Sequence, residues 1–223
     1  MKELAVQPKL VEQVQDAILS EITEGRLAAG ERIIQEQIAQ ELGVSRQPVQ
    51  QALLLLRNKG VLRDAPGRGL IVAPLDLDYV QSMYEVRAVM EGLAFRKAAE
   101  VNAERAREDG PRFIQAGHKA VKSKSVAAMI AADRNFHDFI YELSLNPLIA
   151  PTMDAQWTYT QRVMGEVLLM RDEKPRDIWN QHEALLAAVT AGDGPRAEQL
   201  ARQHIEQAAD FMIERLSRES APG

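Results

Sequence analysis

The chain has 223 residues, of which 46% are hydrophobic and 26% are charged, so it can bury real cores and is not intrinsically disordered. It has no cysteine, which excludes a disulfide scaffold, a cysteine-type zinc finger, an iron–sulfur cluster and a thiol nucleophile. The longest uninterrupted apolar run covers residues 126–132, too short to span a bilayer, and the N-terminus lacks the apolar core of a secretory signal. We therefore expect a cytoplasmic protein with no membrane partner.

The net charge of −5 hides a local reversal of sign. Residues 42–72 carry five basic side chains and one acidic one, whereas the rest of the chain is acidic. A small basic block in an acidic chain suits contact with phosphates, although an ordinary solvated surface often has the same composition.

Apolar periodicity over the first 73 residues predicts three short helices followed by a β-hairpin. The first helix ends at Gly25, and the second ends at Gly43. The third begins after Ser45, a favourable N-cap residue, and ends at Gly60. Two short β-prone runs, 61–63 and 70–72, then flank a glycine-rich basic tip, which indicates a hairpin.

This order of elements predicts a winged helix-turn-helix, in which the third helix enters a DNA groove. Arginine suits guanine or phosphate, and glutamine suits adenine, so the exposed face of that helix is a candidate DNA-reading surface. The candidate DNA-binding residues are Arg46, Gln47, Gln50 and Gln51 on the third helix and Arg68 at the wing tip. The alternative is a small three-helix fold with an ordinary polar surface.

Four segments carry a family resemblance: LAAGERI at 27–33, QIAQELGVSRQPVQQAL at 37–53, GVL at 60–62 and GRG at 67–69. Over residues 8–74 they resemble the DNA-binding domain of the GntR family of bacterial transcription regulators. The resemblance implies binding of double-stranded operator DNA. Two positions depart from the family pattern: Gln50 replaces its usual arginine, and Glu36 lies where a basic residue is common.

The chain divides near residue 75, which predicts a winged helix-turn-helix unit over 1–75 and a helical unit over 76–223. No alternating strand pattern follows Asp76, and long helical stripes predict an antiparallel bundle of about six helices. The second of these helices, 102–122, is expected to break at Gly110–Pro111. The remaining predicted helices are 126–143, 147–170, 176–191 and 195–216. The predicted fold class is therefore mainly α.

Polar residues interrupt the apolar stripes of three predicted bundle helices. Asp133 and His137 lie one turn apart, and His182 and His204 each lie within another stripe. A buried carboxylate and buried imidazoles need partners, and a divalent metal satisfies both. The alternatives are ordinary hydrogen-bonded core histidines or a simple Asp133–His137 pair. The remaining histidine, His118, lies outside this pattern and has no assigned role.

The bundle also resembles a known domain, through YEVRAVME at 84–91, DRNFH at 133–137, NPL at 146–148 and HEALLAAV at 182–189. These segments resemble the FCD-type effector-binding domain of the FadR branch of the GntR family. The resemblance implies a metal held by Asp133, His137, His182 and His204, with zinc first among candidates and nickel, manganese or iron as alternatives. Six helices resemble the VanR-like subgroup more closely than FadR, which has an additional helix. FadR binds acyl-CoA without such a metal, so the resemblance makes an acyl-CoA effector less expected here.

The leading interpretation is a ligand-responsive transcription regulator that binds DNA as a homodimer, with repression as the family's habit. An open position on a buried cation attracts an anion, so we expect a small effector bearing a carboxylate that touches the metal and Arg87. An ordinary Arg87–Glu91 pair at i and i+4 is the alternative for Arg87.

Two other functions are weighed against the regulator. One is a metal-dependent enzyme, for which Glu183 is the only nearby candidate base and for which the N-terminal unit has no explanation. The other is a protein-binding module with a vestigial DNA-binding domain, which the presence of Gln50 keeps open. We expect that the chain is not an enzyme.

Overall fold

The computed structural model describes residues 8–169 and 175–219, and within them the chain is mainly helical, as predicted. The ends of the predicted units, 1–7 and 220–223, and the predicted helix end at 170 lie outside the described residues. The elements in chain order are α1 (Pro8–Thr23), β1 (Arg32–Ile33), α2 (Gln35–Glu41), α3 (Arg46–Asn58), β2 (Leu62–Asp64), β3 (Leu70–Val72), α4 (Leu77–Ser123), α5 (Val126–Leu143), α6 (Ile149–Leu169), α7 (Pro175–Thr190) and α8 (Gly194–Glu219).

The first three helices and the hairpin enclose a small core of their own, and we call residues 8–75 the winged-helix unit. Val14, Val49 and Leu56 are buried in that core. Gly43 joins α2 to α3 with a φ of +64°, a backbone conformation that favours glycine, so the turn stays tight. Ser45 is the N-cap of α3 as predicted, but its side chain makes no capping hydrogen bond.

The predicted hairpin is present and is joined by a third strand. The central strand β3 pairs antiparallel with β2, Leu62 lying opposite Val72, and with β1, Arg32 lying opposite Ile71. Two residues are too few for a period-2 pattern, so sequence analysis missed β1. Its pairing fastens the segment before α2 to the wing.

Helix α4 is continuous where the sequence predicts a break. Its irregular residue is Asn102 (φ −135°, ψ 35°), whose side-chain Nδ2 donates to the Leu143 carbonyl at 2.7 Å. The break predicted at Gly110–Pro111 is wrong, because the chain stays helical through both residues. A Cβ on Gly110 would lie 2.5 Å from Leu186 Cδ1, so this glycine permits close packing against α7 rather than ending the helix.

Residues 76–169 and 175–219 form what we call the helical bundle. Helix α4 packs against α5, α7 and α8, and its two parts, divided at Asn102, together with α5–α8 account for the six predicted helices. One buried cluster includes Phe95, Phe136 and Leu185, and another includes Tyr84, whose hydroxyl donates to Met212 Sδ at 2.9 Å. Among the described residues, no helix is both long enough and apolar enough to cross a membrane.

Candidate metal centre and DNA-reading surface

Three histidines from three helices converge inside the bundle. His137 comes from α5, His182 from α7 and His204 from α8, and all three are buried. One ring nitrogen from each lies within 4.8 Å of the others, and the Nε2 atoms of His182 and His204 are 3.1 Å apart. The structure thus brings together the histidines that the sequence singled out, and we call them the histidine cluster.

The predicted carboxylate lies beside this cluster. Asp133 is buried, one helical turn before His137, and its Oδ1 is 3.6 Å from His182 Nε2 and 3.9 Å from His137 Nε2. His137 Nε2 is buried without a hydrogen-bond partner among the described residues. A buried nitrogen without a partner is costly, and a cation between Asp133 and the cluster would accept its lone pair. The donor set therefore fits a divalent ion of the zinc type.

A second layer of polar groups orients two of the rings, and sequence analysis missed it. His137 Nδ1 lies 3.0 Å from Glu91 Oε2, and His204 Nδ1 lies 2.6 Å from Gln181 Oε1. Glu91 is fully buried and also accepts a 2.5 Å hydrogen bond from Tyr141. Acceptors at Nδ1 fix the ring tautomer and direct Nε2 toward the cluster, as the outer partners of metal-binding histidines do.

Burial and neighbouring charge set the protonation of these groups. Burial lowers the pKa of His182 well below 6.5 and that of His204 to about 3, and the nearby His137 adds to both shifts. Burial alone would raise the pKa of Glu91, but the positive charges of His137 and Arg87 outweigh it and lower that pKa to about 2. Glu91 in turn raises the pKa of His137 against the effect of burial. The rings of His182 and His204 are therefore neutral and have lone pairs to donate to a metal, and the carboxylate of Glu91 beside His137 is ionised.

His182 also has aromatic neighbours. Its ring stacks on Phe136 with centroids 4.6 Å apart, and Trp179 meets it edge-on at 4.7 Å. Its Nδ1 has no hydrogen-bond partner in the described part of the chain. Packing, rather than a second hydrogen bond, therefore holds this ring.

A cavity of about 280 Å³ adjoins the histidine cluster. Its polar lining includes Arg87, Asp133 and His204, and its apolar lining includes Met164 and Phe211. Arg87 Nε also contacts Glu91 Oε1 at 3.3 Å. Arg87 therefore lines the cavity and also forms the i, i+4 pair with Glu91 that was its alternative interpretation. A small molecule in this space would contact Arg87, Asp133 and His204 as well as apolar side chains.

The predicted DNA-reading residues are all exposed. Arg46, Gln47, Gln50 and Gln51 lie on one side of α3, and Arg68 lies at the wing tip between β2 and β3. Arg46 is not free, because its guanidinium forms an ion pair with Glu36 at the start of α2. Arg32 donates to the backbone carbonyl of Arg68 at 2.8 Å and so holds the wing tip.

His118, which had no predicted role, lies at the surface. Its Nε2 is 2.7 Å from Glu183 Oε1, and the His118 side chain is partly buried whereas that of Glu183 is exposed. Glu183 was the only candidate base for a metal-dependent enzyme, and its carboxylate is paired here rather than at the histidine cluster.

Comparison with known proteins gives the family. The model of the FCD domain matches residues 82–207, and the model of the bacterial regulatory proteins of the gntR family matches residues 10–72. A relative from Paenarthrobacter nicotinovorans, the probable D-xylose utilization operon transcriptional repressor, is 27% identical over 86% of this chain and 84% of its own. The HTH-type transcriptional repressor RspR of Escherichia coli (strain K12) is 22% identical over 89% of this chain and 87% of its own.

Solved structures share the fold. E. coli McbR/YncC aligns over 93% of this chain and 98% of its own with a TM-score of 0.79 and 21% identity. A putative transcriptional regulator GntR from Rhodococcus sp. RHA1 aligns over 92% and 97% with a TM-score of 0.74 and 20% identity. The matches to both domain models, in the order of the winged-helix unit and the helical bundle, lead to one conclusion: the chain belongs to the GntR family of bacterial transcription regulators, in its FadR-like branch with an FCD domain.

Proposed function

We propose that the chain is a ligand-responsive repressor that binds operator DNA as a homodimer in the cytoplasm. In this proposal residues 1–75 read DNA, and residues 76–223 bind a divalent metal and a small carboxylate-bearing metabolite. The observation that carries it is the histidine cluster with Asp133, which borders a cavity that Arg87 also lines. Repression is proposed because two relatives are named repressors.

The metal proposal rests on the donor set. Three imidazole nitrogens and one carboxylate suit zinc first, and nickel, manganese or iron next. A bound ion would supply a fixed positive charge beside the polar lining of the cavity. Asp133, His137, His182 and His204 would hold it, and Glu91 and Gln181 would keep the rings of His137 and His204 oriented.

The effector proposal follows from the lining of the cavity. An anion beside the polar lining meets Arg87, whose guanidinium fork matches the two oxygens of a carboxylate. Much of the remaining lining is apolar, including Met164 and Phe211, so the effector needs an apolar body as well as a carboxylate. A volume of about 280 Å³ suits a small metabolite and not a long acyl chain with its carrier.

The homodimer proposal has support on the outer face of α4. Tyr79, Val86 and Val89 are each about half exposed, at 51%, 50% and 52%, although they are large apolar side chains. Spacings of seven and three residues place them along one side of the helix. A second copy covering this stripe would present two winged-helix units, and a two-fold pair reads a palindrome that one unit cannot read.

The first experiment measures metal content. We expect one ion per chain after the purified full-length protein is loaded with Zn²⁺, Ni²⁺, Mn²⁺ or Fe²⁺ and dialysed, and no ion in His182→Ala. The matched control is His118→Ala, which removes the one histidine outside the cluster and should keep the ion. A chelator should lower the Tm of wild type, because the ion binds the folded chain. Equal metal content in wild type and His182→Ala would show that the ion is not bound by the histidine cluster.

The second experiment identifies the effector by a thermal-shift screen of small organic acids against the metal-loaded protein. Calorimetry of each hit then compares wild type, metal-stripped protein and Arg87→Ala. We expect both altered forms to bind the acid more weakly, since each removes positive charge from the polar lining of the cavity. Unchanged affinity in both would place the effector elsewhere.

A further inference from the structure

Helix α6 lies between the cavity and the winged-helix unit and presents a different face to each. The cavity-facing residues are Met164, Val167 and Leu168. The residues that meet the winged-helix unit or the segment after it are Thr158, Tyr159, Arg162, Gly165 and Leu169. Spacings of three and four residues put this second set on one stripe of the helix. One rigid element therefore touches both sites of the molecule.

Arg162 occupies the centre of the second face. Its side chain is 1% exposed, the largest side chain among those almost fully buried. Its Nη2 donates to the Ala73 carbonyl, and its Nη1 donates to the Val61 carbonyl at 3.5 Å. Val61 precedes the hairpin and Ala73 follows it, and the Ala73 amide donates to the Val61 carbonyl at 3.0 Å. The guanidinium thus holds both ends of the wing at its base.

Burying an arginine at this position costs more free energy than burying an apolar side chain of similar volume would. Burial lowers the pKa of Arg162, and the carboxylate of Glu166 offsets only part of that effect. Its Nε is buried without a hydrogen-bond partner in the described residues. Buried cations contribute little net stability, but a planar fork bonded to two carbonyls fixes direction. The guanidinium therefore fixes the direction in which the two carbonyls, and with them the base of the wing, face α6.

Neighbouring contacts leave little room for the winged-helix unit to shift on α6. A Cβ on Gly165 would lie 2.8 Å from the Thr23 carbonyl oxygen, so α1 and α6 touch backbone to backbone. Lys59, just after α3, donates to Thr158 Oγ1 at 2.9 Å. Both ends of the DNA-reading region, α3 and the wing, are therefore tied to the same helix.

We propose that Arg162 is a positioning residue for DNA recognition: it fixes the wing and α3 on helix α6, so that the two units of a dimer are held at the spacing of a palindromic operator. This inference rests on the proposed operator binding by a homodimer. It predicts that Arg162 matters when both units bind one DNA molecule and matters little when one unit binds alone. Two linked binding sites gain affinity only when their geometry allows both to engage.

The test uses the full-length protein and an operator selected by wild type from a pool of random double-stranded DNA. Binding of wild type and Arg162→Met is measured on the full palindrome and on a single half-site. We expect Arg162→Met to weaken full-site binding by about ten-fold or more, with half-site binding within about two-fold of wild type. Arg162→Lys keeps the charge but not the fork, so it should restore only part of the loss.

Arg107→Met is the matched control, because Arg107 also donates to a backbone carbonyl, that of Thr190, but within the bundle. It should leave both affinities unchanged. Gly165→Ala, which separates α1 from α6 without touching Arg162, should repeat the selective loss and decides the matter if Arg162→Met does not fold. Equal losses on both DNAs, or no loss on either, would overturn the inference. Failure of wild type to select a palindrome would instead count against the proposed function.

Discussion

Arg46 is paired with a carboxylate in the free protein. Its guanidinium contacts Glu36, and both side chains are exposed, at 64% and 58%. Glu36 therefore places negative charge on the surface that is proposed to approach phosphates, where the family commonly has a basic residue. Binding DNA requires Arg46 to exchange this partner, and the carboxylate repels the phosphates that replace it.

We expect Glu36→Gln to tighten binding to the selected operator by roughly two- to ten-fold, since it frees Arg46 and removes a repulsive charge. Arg46→Ala should weaken binding by about ten-fold or more and lower the salt slope by about one. Fluorescence anisotropy at several salt concentrations measures both. Glu104→Gln, on an exposed position of α4, is the matched charge control. If Glu36→Gln increases operator affinity as much in the Arg46→Ala background as in wild type, Arg46 does not exchange Glu36 for phosphate on binding DNA.

The histidine cluster makes a second prediction, on pH. The pKa values of His182 and His204 are lowered in the folded chain. Below about pH 6.5 these two rings therefore bind protons in the unfolded chain but not in the folded chain. Stability of the metal-free protein should therefore fall as pH drops from 6.5, by up to about 1.4 kcal/mol per pH unit for each ring. His137, with its raised pKa, acts oppositely and only above 6.5.

Urea unfolding of metal-free protein at pH 7.5, 6.5 and 5.5 measures this dependence. Replacing His182 and His204 by Gln should flatten it between pH 6.5 and 5.5, whereas His118→Gln should not. A wild-type midpoint that is constant over that interval would mean that the two rings accept protons in the fold.

Sequence analysis found the four candidate ligands because each interrupts an apolar stripe, a signal that one helix carries by itself. It missed Glu91 as the partner of His137, because that contact joins residues 46 positions apart and depends on how α4 packs against α5. Locally, Glu91 offers only an i, i+4 arginine, which is common on helix surfaces. Gln181, adjacent to His182, gave no signal, because a helix directs neighbouring side chains about 100° apart.

At the scale of elements, α4 shows why local rules misplace a helix break. Glycine and proline predict an end at 110–111, but the helix continues through both residues, and Leu186 of α7 packs against Gly110. The irregularity lies instead at Asn102, whose amide bonds the Leu143 carbonyl at the end of α5. The sequence predicts a helix boundary at 102 but not this contact. The contacts at Gly110 and at Asn102 both join helices that are distant in sequence, so no local pattern encodes them.

Gly117 of the same helix gives an element-scale prediction. A Cβ there would lie 2.1 Å from Trp179 Cε2, inside the indole ring that meets His182 edge-on. We expect Gly117→Ala to lower the free energy of unfolding by about 1–3 kcal/mol despite the better helix propensity of alanine. It should also weaken metal binding by displacing α7.

Urea unfolding and metal titration measure the two effects. Ala116→Gly is the matched control, because Ala116 is exposed and the reverse exchange there costs only helix propensity, about 1 kcal/mol. Unchanged metal affinity in Gly117→Ala would show that the indole ring can move without moving His182.

At the scale of the whole molecule, the winged-helix unit and the helical bundle differ in how much the sequence reveals of them. The motif, the turn and the hairpin of the winged-helix unit each lie within a short segment, so all three were predictable from the sequence. The exception is the two-residue β1, whose Arg32 pairs with the distant Ile71. The bundle was predictable as a set of helices, but not its arrangement, because α4 packs against α8 across most of the chain length. The winged-helix unit contacts the helical bundle through α6, which the sequence predicts as a helix, but no sequence pattern indicates which of its residues make that contact.

The long-range packing of α4 against α8 has a consequence for folding kinetics. The contact between Tyr84 and Met212 spans 128 residues, so a long loop must close before this interface forms. The histidine cluster needs α5, α7 and α8 in place together, and we expect it to assemble after the rate-limiting transition state. An ion bound only in the native state stabilises that state without lowering the barrier to reach it.

Stopped-flow refolding and unfolding, with and without saturating Zn²⁺, check this expectation. The refolding rate should be the same in both conditions, while unfolding should slow in proportion to the stability that the ion adds. The His182→Ala variant should show no effect of Zn²⁺ on either rate. Faster refolding of wild type with the ion would place the cluster in the transition state. If refolding is unchanged, the metal determines the unfolding rate of the bundle and not the rate at which the bundle folds.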